Sequence, residues 1–298
     1  MSSHSDLVLI TGATGKQGGA TARQLLRAGR PVRALVRDRE SAAAQELAAA
    51  GAELAVGDFD DRDSIAAALA GVGAVLLVPP ALYQAGGWDV DLEARRGQNL
   101  VAAAVAAGVD QIVFTGIASF REERNWGSVG KRRIEDAVRA SGLRWTILRP
   151  VRFMENYLLE GSVVDGIVDG VHRHLFAGDQ PLQMIAVDDV AAFAVLAFTD
   201  PARFHGEILE LAGDSPTPVG AAAEISESTG HPIRYQEITM AEAEAMGPEL
   251  ANVWRQTRAG QGWHADIPAL REILPSLRTL DAWLAETGGA QLKALLER

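Results

Sequence analysis

The chain has 298 residues, 28 basic against 39 acidic side chains for a net charge of −11, 48% hydrophobic residues and no cysteine. That length suits one large domain or a domain with a smaller lobe. The missing cysteines exclude disulfides, thiolate metal sites and cysteine nucleophiles, and the acidic balance argues against nucleic acid as a partner.

Strand-like runs at 6–10, 32–36, 53–57, 74–78, 111–114 and 145–149 alternate with helical patterns at about 18–28, 40–50, 62–70, 91–107 and 128–141. Gly29, Gly51, Gly73, Gly108 and Gly142 fall between each helix and the next strand, where helices end. Strand–helix repetition at this spacing gives right-handed βαβ crossovers, so the predicted class is α/β, a doubly wound parallel sheet with helices on both faces. Ligands of such sheets sit at the carboxyl ends of the strands. Beyond Pro150 the pattern loosens. Residues 153–182 read as an irregular insertion, 184–187 as a strand, and Asp188 and Asp189 as caps of an apolar helix reaching Phe198. Two short strands (207–211 and 233–236) and helices around 217–230, 240–260 and 279–296 make a smaller α+β lobe. The expected division is 1–152 plus about 183–200 for the sheet domain, and 153–182 plus about 201–298 for the lobe. No apolar run approaches the roughly 18 to 20 residues of a membrane helix. Residues 1–6 lack the basic-then-apolar order of a secretion signal, so a cytoplasmic location is expected.

The most informative stretch is Thr11-Gly12-Ala13-Thr14-Gly15-Lys16-Gln17-Gly18-Gly19, directly between the first strand and the first helix. Gly12 lets the chain turn off the strand, Gly15 lets backbone N–H groups approach a pyrophosphate, and Gly18 lets helix and strand pack closely. The phosphates would lie at the positive end of the helix. Dinucleotide binding is therefore expected, with Thr11, Thr14, Lys16 and Gln17 in the same loop. Arg37 closes the second strand, nineteen residues after Gly18. An acidic residue there would accept from the ribose hydroxyls of NAD, whereas an arginine suits the 2′-phosphate of NADP. Asp38 would swap the two readings with a register change of one. NADP(H) is expected over NAD(H), with Lys16 adding positive charge.

Asp58 and Phe59 follow the third strand, Val78 and Pro79 the fourth, and Thr115 and Gly116 end the fifth beside the expected nicotinamide. Asp58 reads either as a contact to the nucleotide or, with Asp60 and Asp61, as a turn and cap. Lys131 opens the helix after the fifth strand. In the common short-chain dehydrogenases that helix carries Tyr-x-x-x-Lys, but the residue four before Lys131 is Gly127. Lys131 is then either the proton carrier, its pKa lowered by burial, or a group that only holds the ribose or substrate. Tyr157 is a second candidate donor if it points inward. Pro150 and Phe153, after the sixth strand, complete the expected cofactor contacts.

These motifs together resemble the NmrA-like atypical short-chain dehydrogenases. The resemblance rests on the glycine loop, Val36-Arg37, Gly57-Asp58, Lys131 with Ile134-Glu135, and Leu148-Arg149-Pro150 with Phe153-Met154-Glu155-Asn156. Ile185-Ala186-Val187-Asp188-Asp189, Ser276-Leu277 and Trp283-Leu284 extend it over nearly the whole chain. It implies a Rossmann domain, a smaller substrate lobe, and NADP(H) held through Gly12, Gly15, Gly18, Arg37 and Lys131. Some relatives transfer hydride with a lysine like Lys131 assisting; others bind the cofactor and report redox state to a partner. The expected activity is reduction of a small apolar or aromatic carbonyl or quinone held in the cleft between the lobes. The alternative is a redox sensor acting through a protein partner, and a homo-oligomer fits either reading.

Other chemistries lack their residues. His172 and His174 share a strand face but have no third ligand at matching spacing, and read as a surface or pocket-lining pair. No serine sits in a Gly-x-Ser-x-Gly elbow, and no Gly-Lys-Ser/Thr follows the loop.

Overall fold

The structure is a computed structural model that describes residues 5–79, 83–84, 87–118, 120, 126–162 and 164–298. Its main sheet contains β1 (Val8–Ile10), β2 (Val32–Val36), β3 (Glu53–Val56), β4 (Ala74–Leu77), β5 (Gln111–Thr115), β6 (Arg144–Pro150) and β7 (Glu207–Leu211), in the order β7-β6-β5-β4-β1-β2-β3. The pairs from β6 to β3 are parallel. At the other edge, the Trp145 carbonyl accepts from Gly206 and the Leu211 carbonyl from Val151, so β7 runs the same way. This is the Rossmann order, with the reversal between β1 and β4. Residues 207–211 thus extend the main sheet, where the sequence suggested a strand of the lobe.

The central strands are apolar throughout because helices cover both faces of such a sheet. All of β4 and β5 is buried, and Leu9, Val75, Leu77, Ile112, Phe114 and Ile147 share one core. The helices are α1 (Lys16–Arg27), α2 (Ala42–Ala49), α3 (Arg62–Leu69), α4 (Val90–Ala106), α5 (Trp126–Ala140) and α6 (Val187–Thr199). Four of the five expected helix-ending glycines have positive φ; the third helix ends at Gly71 (φ 74°) instead of Gly73.

The chain divides into two compact units. The first takes residues up to 117, 127–149 and 190–209; the second takes 118–126, 150–189 and 210–298. Residues 183–189, expected with the sheet domain, cluster with the second unit. The second unit carries a three-stranded sheet of Ile167–Val168, Val171–His174 and Arg234–Glu237, with a two-stranded ladder of Arg152–Phe153 and Met184–Ile185. The supposed irregular insertion 153–182 therefore contains paired strands. The expected helix 240–260 is two helices, Met240–Met246 and Pro248–Arg258, because Pro248 cannot donate to the preceding turn and pushes Gly247 out of helical geometry. Asp188 and Asp189 lie inside the first turn of α6 instead of capping it. Asp189 is buried and its carboxylate accepts the Arg278 N–H at 2.9 Å and the Arg278 guanidinium. No helix among the described residues is long and apolar enough to cross a membrane.

In the first unit α4 and α5 meet at two glycines. A Cβ on Gly97 would lie 2.6 Å from Ile134 Cγ1, and one on Gly130 only 2.7 Å from the Val90 carbonyl. The second obstacle is backbone and cannot rotate away. Gly130→Ala should therefore destabilise by about 1–3 kcal/mol through overpacking, outweighing the ~1 kcal/mol helix-propensity gain; urea unfolding gives the sign.

Candidate active site

The glycine loop forms the cradle its sequence suggests. Gly12 has φ 58° and faces Val78, 3.2 Å from where its Cβ would stand. A Cβ on Gly18 would lie 2.6 Å from the Gly12 backbone, which only glycine avoids. Gly15 precedes α1 in extended conformation, and among the described residues no side chain caps the helix, whose first-turn N–H groups make a positive end suited to an anion. Thr14, Gly15 and Lys16 are exposed at the tip. Thr11 ties the loop to a neighbouring strand end. Its buried hydroxyl accepts the Val78 N–H at 2.9 Å and donates to the Val78 carbonyl at 3.0 Å, which locks the ends of β1 and β4 together. Pro79 is buried just beyond.

Arg37 directly follows β2, is exposed, and has no polar partner among the described residues. Asp38 is already engaged: its carboxylate accepts the Glu40 N–H at 2.9 Å and its carbonyl the Ser41 hydroxyl, in the turn into α2. Asp58 likewise accepts the Asp60 N–H at 2.8 Å, while Asp61 caps α3. The Asp58 carboxylate is thus used at least once by its own turn. Phe59 packs against the sheet core and lines a cavity of about 230 Å³ with Arg62, Ile65 and Asn99.

At the end of β5, the Gly116 N–H donates to the Leu148 carbonyl at 2.7 Å, and a Cβ there would meet Glu135 at 2.8 Å. Glu135 is held by Arg149 in a two-point bond (3.0 and 2.6 Å) and by Arg132 at 3.2 Å. Thr115 is buried, its hydroxyl unpartnered among the described residues. The same holds for the buried Gln17 side-chain oxygen in the loop. Residues 119 and 121–125, between β5 and α5, lie outside the described residues.

Lys131 lies buried in the second turn of α5, which starts at Trp126 and not at Lys131 as expected, and its Nζ donates to Glu93 Oε1 of α4 at 2.7 Å. Burial pushes the lysine below its ordinary pKa, and the Glu93 charge and hydrogen bond pull it back up. Glu93 has no exposed surface. The sequence reading missed it. Its signal was present: Glu93, Gly97, Leu100 and Ala104 fall on one helix face, so an acid interrupts an apolar stripe.

These residues fit a dinucleotide: a helix start behind a glycine cradle, a guanidinium after β2 with no polar partner among the described residues, and a buried lysine on α5.

In the second unit Pro150 is buried and its carbonyl accepts the Ala118 N–H at 3.0 Å; Phe153 is half-buried and pairs with Ile185. Tyr157 has 1% of its surface exposed. Its ring lies 4.3 Å under the Arg152 guanidinium and 4.9 Å from His172, and burial pushes its pKa up against the pull of Arg152. This is a packing position. His172 and His174 are buried too, which corrects the surface or pocket-lining reading. Arg152 Nε and His174 Nε2 both bond Asp165 Oδ1, at 2.7 and 3.0 Å. Burial opposes ionisation of Asp165, but Arg152 and His174 hold its carboxyl well below the usual range.

The family whose description is the NmrA-like family matches residues 4–253. The chain belongs to the NmrA-like family. This member is 32% identical over 293 residues to the (4-alkanoyl-5-oxo-2,5-dihydrofuran-3-yl)methyl phosphate reductase of Streptomyces griseus subsp. griseus, covering 94% of this chain and 97% of that protein. It is 30% identical over 242 residues to an NAD(P)H azoreductase of Xenophilus azovorans, covering 80% and 79%. Among solved structures it resembles the NADPH-dependent quinone oxidoreductase of Escherichia coli complexed with NADPH, at 28% identity and TM-score 0.76 over 93% of this chain and 98% of that one.

Burial pushes the His172 pKa down to about 3, with Arg152 adding to the effect. The unfolded chain then binds a proton near the ordinary value of about 6.5 that the folded chain refuses. Stability is full above that pH and falls as pH drops through it, at up to about 1.4 kcal/mol per pH unit. His172→Gln cannot titrate, so urea unfolding between pH 6.5 and 4 should lose that much of its slope.

Proposed function

We propose that the protein is a cytoplasmic NADPH-dependent reductase of a small apolar or aromatic carbonyl or quinone. The observation that carries this reading is Lys131, a buried cation on α5 in a chain whose first strand–helix turn is a dinucleotide cradle. The named reductase activities of the NmrA-like relatives support it. Gly12, Gly15 and the start of α1 would hold the pyrophosphate, and Gly18 keeps α1 close enough to β1 to aim those N–H groups. The nicotinamide supplies a hydride when bound. Reduction of a carbonyl also needs a proton on oxygen, and the Lys131 ammonium would donate it, with water restoring the lysine afterwards. Tyr157, buried under Arg152, is left out of that step.

NADPH over NADH is supported by Arg37, which follows β2 without a polar partner among the described residues while Asp38 is tied into its own turn. Arg37→Ala should weaken NADPH binding by about 1.5–3 kcal/mol, the range for a hydrogen bond to a charged group, and leave NADH nearly unchanged. Fluorescence titration with both cofactors decides, and equal losses would make Arg37 structural.

The activity itself is tested by NADPH consumption with a panel of quinones, aldehydes, ketones and enones. Lys131→Arg keeps the ion pair with Glu93 but cannot release a proton. It should lower kcat by about 100-fold or more with NADPH affinity retained; unchanged kcat would remove Lys131 from the chemistry. Tight NADPH binding with no turnover on any substrate would favour a redox sensor that acts through a protein partner.

A further inference from the structure

We propose that Glu93 is the positioning residue of this site: its buried carboxylate fixes the Lys131 ammonium at the α4–α5 contact and keeps it charged. The inference rests on the reductase reading for its catalytic consequence, though its physical core does not.

Three observations carry it. Glu93 has no exposed surface, yet it lies on the face of α4 that otherwise presents Ala94, Gly97, Leu100, Val101 and Ala104 to the interior. An ionised carboxylate there is costly without a compensating charge, and Lys131 supplies one at 2.7 Å. Second, the helix approach is built around the pair. A Cβ on Gly130, next to Lys131, would stand 2.7 Å from the Val90 carbonyl and 2.8 Å from Glu93 Oε2. Glycine at 130 lets α5 come close enough for Nζ to reach the carboxylate. Third, several neighbouring charged groups of the two helices are paired with one another or with other elements. Arg133 pairs with Asp91, Arg96 with Asp60, and Glu135 with Arg149 and Arg132. Asp89 caps α4, and Lys131 forms an ion pair with Glu93. A lysine taken into this interior without Glu93 would shed its proton more readily and lose its role as an acid.

The chain contains three lysines, Lys16, Lys131 and Lys293, so protein carrying carbon-13 at lysine Cε gives three signals. The one absent from Lys131→Arg is Lys131. Its titration is followed in the wild type, in Glu93→Gln and in Glu93→Asp, the last in case the amide prevents folding. The pH dependence of kcat for reduction of 1,4-benzoquinone by NADPH is measured alongside. We expect Lys131 to titrate about one to three pH units lower in Glu93→Gln, the range for loss of an adjacent opposite charge, and by a smaller step in Glu93→Asp. The alkaline limb of kcat should move down by the same amount, with KM for NADPH little changed. An unmoved lysine titration in both variants overturns the proposal. A moved titration with an unmoved limb overturns its catalytic half. Absence of benzoquinone reduction by the wild type, with the titration moved, defeats that substrate test and leaves Glu93 as the group that sets the charge of Lys131.

Discussion

The close approach of α4 and α5 governs the first unit, because it puts two opposite charges in an interior that would tolerate neither alone. Gly97 receives Ile134, Gly130 lies under the Val90 carbonyl, and the distance so fixed brings Lys131 Nζ to Glu93. Desolvating a lone lysine or carboxylate costs several kcal/mol, and their mutual attraction in a low-dielectric interior offsets most of it. The pair is therefore a weak source of net stability and a strong constraint on geometry. A cation held this way has a defined position, which a solvated lysine on a flexible stem lacks.

A comparable arrangement organises the second unit. Arg152, nearly devoid of exposed surface, bonds Asp165, stacks over Tyr157 and sits near His172. His172 stays neutral under that positive charge, with its Nδ1 3.2 Å from the Gly166 carbonyl. Asp165 itself has φ 82°, a conformation that side-chain-bearing residues rarely adopt. Its two-point engagement by Arg152 and His174 accounts for the tolerance of that strain. The Tyr157 ring and the Asp165 carboxylate are held by one guanidinium, a group that sequence spacing gives no reason to single out.

Much of the first unit was legible because its signals are local. The strand–helix alternation, the glycine cradle, the position of Arg37 just after β2 and of Lys131 on α5 are all set by neighbours a few residues away. The second unit was less legible. Strands of two to four residues leave too little periodicity to read, and Val171–His174 pairs with Arg234–Glu237 some sixty residues on. Tyr157 was named from its residue type, whereas its burial depends on Arg152 and His172. Glu93 carried a readable sign, an acid on an apolar stripe, but its partner lies 38 residues away on another helix.

The sequence by itself determined the class of the fold, the cradle at the first turn and the candidate cation, since period, glycine spacing and residue chemistry act over a few residues. Tertiary structure alone decided that 207–211 joins the main sheet, that Asp38 is tied into its own turn, that Tyr157 is interior, and that Lys131 meets Glu93. Each of these depends on which distant groups share a low-dielectric space or a hydrogen bond, and no local pattern encodes that pairing.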